Sequence, residues 1–161
     1  MTIMTVTDPY NSETLLRHSS AFALARFLKQ SLAIENIHRD PAAAGIKATH
    51  RFLEAPLTAD TVIALQEVYA PGKPLRNKPG MDVRVERYYP PRGAADMKDQ
   101  LADYADPFHG LVAFEKRHPF MGGNGRVNHA VWVSLMQAIG RDPFGLGFLH
   151  RLYCQVLDAA D

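Results

Sequence analysis

The chain has 161 residues, enough for one compact domain with its own core and too few for two ordinary ones. Formal net charge is +1 with 22% of residues charged, so no broad basic field marks a nucleic-acid or membrane-surface protein, and any anion site must be local. A lone cysteine, Cys154, excludes an internal disulfide framework and a CxxC metal site and fits a reducing, cytoplasmic setting.

Residues 1–11 read as an N-terminal arm, without the basic and apolar regions of a signal peptide. No apolar run reaches the roughly 18–20 residues that a membrane span needs. Leu15, Leu16, Ser19, Phe22, Ala23, Phe27, Leu28 and Leu32 recur at three- and four-residue spacing, which predicts an amphipathic helix over residues 12–36. A second helix is expected from Ala42 to Leu53, stopped by Pro56. Thr58 then suits the N-cap of a third, Ala59 to Tyr69, with Asp60 at its positive end. The stretch from Ala70 to Arg92 is rich in proline. Within it Val83 and Val85 alternate with Arg84 and Glu86, which predicts a short strand or hairpin arm in 82–90. Asp96 to Tyr104 and Phe108 to Arg117 return to helical pattern. The run His118-Pro119-Phe120-Met121-Gly122-Gly123-Asn124-Gly125-Arg126 reads as a loop, because three glycines in four positions do not suit a helix interior. Val127 to Ile139 is apolar nearly all round, as in a buried helix, with Gly140 to end it; a last helix is expected over Leu146 to Leu157. The total is an all-α domain of six or seven helices with one small β element.

A glycine-rich loop that runs into a buried helix is an arrangement for holding phosphate. The first helical turn leaves backbone N–H groups without partners, and the aligned peptide dipoles put positive potential there. Asn124 can add hydrogen bonds, and Arg126 brings a fixed charge in a fork matched to phosphate oxygens. His118, at the other lip, brings an imidazole, a side chain suited to taking a proton from an attacking hydroxyl. Singly, each of these residues has a plainer explanation as a turn or helix-start residue; together, at this spacing, they point to an anion site.

The run HPFMGGNGR resembles the signature of the Fic family, H-P-F-x-[D/E]-G-N-G-R-x-x-R, and seven of its nine fixed positions match. The segment VERYYPPRGAADMKDQLADYAD also resembles the family's flap and the helix after it. The resemblance implies a Fic-type helical bundle and transfer of AMP from ATP to a Ser, Thr or Tyr hydroxyl of a target protein. It implies His118 as general base and Gly123, Asn124 and Gly125 as the anion hole. Arg126 would neutralise the leaving pyrophosphate, and Val83, Arg84, Val85 and Glu86 would form the flap that docks the target backbone.

Two signature positions differ. The acidic position, which would hold Mg²⁺, is Gly122, so ATP as substrate is expected with weakened magnesium binding. The final arginine is His129, three residues after Arg126 and expected to face the nucleotide from the same side. Ser31-Leu32-Ala33-Ile34-Glu35-Asn36 resembles the inhibitory motif [S/T]-x-x-x-E-[G/N] of Fic proteins with an N-terminal regulatory helix. By that resemblance Ser31, Glu35 and Asn36 form a brake, with Glu35 facing His129. The alternative expectation is a degenerate Fic domain that binds nucleotide or a partner without efficient transfer, or that uses another donor. A nucleotide and a target protein are the expected partners; whether two copies pair as a homodimer is left open.

Overall fold

The computed structural model describes residues 12–85, 89–90, 97–102, 104 and 106–144, and of these the side chains of 12–20 and of 100 are not part of the description. The described residues form an all-α fold of six helices: α1 (Ser12–Ile34), α2 (Ala43–Glu54), α3 (Ala59–Tyr69), α4 (Met97–Ala102), α5 (Pro107–Arg117) and α6 (Asn124–Ala138). No helix among the described residues is long and apolar enough to cross a membrane. The expected N-terminal arm and the expected last helix lie outside the described residues.

Local chemistry sets the helix starts. Thr58 closes a capping box with Thr61, each side chain taking the other's backbone N–H, at 3.3 and 3.0 Å. Asp106 caps α5 by accepting the His109 N–H at 2.8 Å, and Pro107 follows in the first turn, where its missing donor costs nothing. Helix α6 begins at Asn124, three residues earlier than periodicity suggests. A first helical turn needs no intrahelical acceptors for its N–H groups, so glycine is tolerated there.

Helix α6 is the centre of the fold and packs against α5, α3, α1 and α2. Its residues Val127 to Val133 are all buried, including the polar Asn128 and His129. Asn128 donates to the Leu111 carbonyl of α5 at 2.9 Å, which joins the two helices by more than apolar contact. Helix α1 lies across α6 on a face made by Leu24, Phe27, Leu28 and Leu32. Burying each of these large side chains contributes roughly 1.5–3 kcal/mol, enough to hold the helix in place. Phe22, expected on that face, is instead 68% exposed. It sits two residues from Leu24, so the helical twist carries it to the far side.

Of the strand or hairpin arm expected in 82–90, the described residues show one bridge residue, Val85, and residues 86–88 lie outside the description. Residues 82–84 are irregular, and Val85 forms an isolated β-bridge. Arg84 stacks over the Tyr89 ring at 5.8 Å. An antiparallel bridge joins Leu75 to Phe120, with Arg76 N–H to the Pro119 carbonyl at 2.8 Å and Met121 N–H to the Pro74 carbonyl at 2.9 Å. A strand that pairs at one residue pair needs little length, and the prolines around it prevent extension.

Tyr69 ends α3 with its hydroxyl against Thr49 at 2.5 Å, and Thr49 in turn donates to the Gly45 carbonyl at 2.7 Å. Removal from water pushes the Tyr69 pKa up to about 12, against the opposing pull of the Thr49 hydrogen bond and the Arg126 charge. The unfolded tyrosine loses its proton near the ordinary value of about 10, so the fold should lose stability as pH rises through the window from about 10 to about 12. Alkaline titration followed at the tyrosinate absorbance should show one late transition that a Tyr69→Phe variant lacks.

Candidate functional site

The sequence around Glu35 ends α1 in a definite geometry. Ile37 N–H bonds the Leu32 carbonyl and Asn36 N–H bonds the Ala33 carbonyl, both at 3.0 Å, while Asn36 adopts a left-handed φ of 61°. This is the Schellman arrangement, in which asparagine or glycine takes the left-handed position just past the helix. The motif's terminal Asn36 therefore has a backbone reason, and its side chain bonds His38 Nε2 at 2.9 Å. Glu35 is left as the last residue before the turn, at the exit of the helix.

From there Glu35 reaches the start of α6. Its Oε2 accepts from Arg126 Nε at 2.7 Å, and its Oε1 accepts the Arg126 backbone N–H at 3.2 Å. Both side chains are mostly buried, at 14% exposure for Arg126 and 24% for Glu35. The guanidinium also donates to the Tyr69 carbonyl at 2.6 Å and lies over the Tyr69 ring at 5.8 Å. A carboxylate thus occupies the positive end of the central helix, with a charge-assisted hydrogen bond on one oxygen and a backbone donor on the other. Gly125 permits the approach, since a Cβ there would stand 3.0 Å from Glu35 Oε1. Gly123, at φ 75°, makes the turn into the helix, and a Cβ on it would meet the Ala70 methyl at 2.9 Å.

The expected pairing of Glu35 with His129 is therefore corrected: Glu35 pairs with Arg126. His129 is fully buried one turn further into α6, and its Nδ1 meets Ser31 Oγ at 2.7 Å. Ser31 and Glu35 are four residues apart on α1, so they meet α6 at successive levels, Ser31 over His129 and Glu35 at the helix mouth. The expectation that His129 faces the nucleotide beside Arg126 is corrected for the same reason, because α1 covers it.

Asn124 is also placed differently from expectation. Its amide donates to the Phe120 carbonyl at 2.7 Å and accepts the Phe120 N–H at 2.9 Å, so the side chain folds the loop on itself rather than pointing outward. The three residues expected to form an anion hole, Gly123, Asn124 and Gly125, thus contribute a shaped backbone.

His118 sits where α5 ends, in a left-handed conformation (φ 44°, ψ 62°) that a non-glycine residue adopts only under constraint. The constraint comes from Arg76, which sequence reasoning passed over. Arg76 is fully buried, and its fork donates to the carbonyls of His118 (Nε, 2.6 Å), Arg117 (Nη2, 3.0 Å) and Met81 (Nη1, 3.2 Å). An arginine in a proline-rich stretch resembles a solvated one, so no pattern singled it out. The His118 ring is 20% exposed, and its buried Nδ1 lies 3.7 Å from Glu115 Oε1, one helical turn back. The carboxylate stands on that side of the ring at a distance longer than a hydrogen bond.

The position that would supply a carboxylate to Mg²⁺ is Gly122, and no group of three or more His, Cys, Asp or Glu able to hold a metal occurs among the described residues. No protein-family model matches the chain, and no curated protein matches it.

Arg76 should be indispensable to the loop. Replacing it with Met leaves buried carbonyls without charged donors, at an expected cost of about 3 kcal/mol, read as a lower urea midpoint. Arg76→Lys should rescue little of it, since an ammonium cannot reproduce the fork.

Proposed function

We propose that this protein is a Fic-type nucleotidyltransferase that moves AMP from ATP to a Ser, Thr or Tyr hydroxyl of a target protein, and that Glu35 holds it in a restrained state. The observation that carries the reading is the Glu35 carboxylate at the N-terminus of α6, bonded to both the Arg126 guanidinium and the Arg126 N–H. An internal anion rests where the glycine-rich loop and helix would receive a phosphate. The resemblance of residues 118–126 to the Fic signature supplies the chemistry.

In this reading His118 takes the proton of the acceptor hydroxyl as the oxygen attacks the α-phosphorus. A new O–P bond forms, the bond to the β-phosphate bridging oxygen breaks, and pyrophosphate leaves. Arg76 holds the His118 backbone, and the Glu115 carboxylate stands 3.7 Å from the ring. Arg126, released from Glu35, meets the negative charge of the departing phosphates. Such a transfer depends mainly on position and charge neutralisation, and the site's rigidity suits that demand. A second reading, nucleotide binding without efficient transfer, is favoured by one observation: His129 is sealed under α1 rather than offered to the γ-phosphate.

Offered ATP labelled at the α-phosphate, the Glu35→Gly protein should label itself or a lysate protein, the unaltered protein less, and Glu35→Gly/His118→Ala not at all. Calorimetry should show that Glu35→Gly binds ATP at least about tenfold more tightly, the equivalent of one charge-assisted hydrogen bond no longer competing. Tighter binding with no label in any arm would select the second reading. Unchanged binding would reject the restraint.

A further inference from the structure

The missing acid at position 122 raises the question of what stands there instead. An ideal Cβ built on Gly122 would lie 3.2 Å from Lys73 Cγ, 3.5 Å from its Cδ and 3.6 Å from its Cβ. The stem of Lys73 therefore fills the space into which an acidic side chain would project. This contact is built by buried Gln66, whose Nε2 lies within hydrogen-bond distance of three carbonyls: Lys73 at 2.5 Å, Ala70 at 3.2 Å and Gly122 at 3.2 Å. One side chain ties the backbone of Lys73 to that of Gly122 across 49 positions of sequence, from 73 to 122. The lysine itself is exposed, so its ammonium, two bonds beyond Cδ, moves in water at the rim of the loop.

We propose that Lys73 is a phosphate-binding residue and that its ammonium provides, without metal, the positive charge that an acid-bound Mg²⁺ would otherwise bring to the phosphates of a nucleoside triphosphate. The inference rests on the nucleotide reading above. An acid at 122 would require a divalent ion to turn a negative site positive. With glycine at 122 and lysine beside it, the site is positive already, and a lysine serves phosphate as a compact, mobile point charge. A carboxylate at 122 would stand beside the Lys73 stem, where it would capture the ammonium in an ion pair and repel the phosphates.

The test measures ATP and AMP binding by calorimetry in EDTA and in Mg²⁺, with all proteins in the Glu35→Gly background. Glu35→Gly should bind ATP about equally in both buffers. Adding Lys73→Met should weaken ATP binding in EDTA at least about tenfold, weaken AMP binding much less, and leave the melting temperature unchanged. Adding Gly122→Asp alone should also weaken ATP binding in EDTA. Gly122→Asp with Lys73→Met should regain affinity only when Mg²⁺ is present. If Lys73→Met leaves ATP binding in EDTA unchanged, or if Glu35→Gly binds ATP only with Mg²⁺, the role of Lys73 is overturned while the nucleotide reading stands. If Glu35→Gly binds no triphosphate in either buffer, both are overturned.

Discussion

A carboxylate at the exit of one helix lying in the entrance of another is the contact on which the site depends. Glu35 sits at the negative end of its own helix, an unfavourable place for an anion, and is compensated by the positive end of α6 and by Arg126. The compensation works because α6 is buried along most of its length, so its first turn faces a partly dry space where charge is weakly screened. Two polar side chains buried on α6 bond the neighbouring helices, Asn128 through its amide N–H to α5 and His129 through Nδ1 to α1. The helix that carries the anion site is thereby fixed on two sides by hydrogen bonds as well as by its apolar face.

The loop before it is shaped from outside rather than by its own sequence. Arg76 holds the carbonyls at its start, the Leu75–Phe120 bridge holds its middle, and Asn124 closes it. A left-handed histidine preceding a proline would relax if left alone, since the residue before proline prefers extended backbone. It stays because the surrounding bonds over-determine it, as strained residues at functional sites commonly do.

Much of the fold was legible in the sequence because its signals are local. Thr58, Asp106-Pro107 and the three–four spacing of apolar residues mark helices whose causes lie within a few positions of themselves. The glycine-rich loop and the buried helix after it were legible for the same reason. What could not be read depended on distant partners. Nothing near Arg76 indicates that the carbonyls of Arg117 and His118, some forty residues away, will join that of Met81 around it. Nothing near Glu35 distinguishes Arg126 from His129, which differ by one helical turn at the receiving end. The β bridge at Leu75 could not be read because its partner, Phe120, lies far along the chain.

The position of Glu35 also bears on time. Leu24, Phe27, Leu28 and Leu32 hold the body of α1 against the core, and Glu35 lies beyond them, past the last turn. Withdrawing the carboxylate from Arg126 therefore asks for a side-chain rotation and some fraying of a helix end, events of nanoseconds to microseconds, and leaves the helix where it is. In the proposed reading an incoming phosphate would meet a latch that opens far faster than turnover, so the restraint would be a matter of occupancy at equilibrium and would introduce no lag.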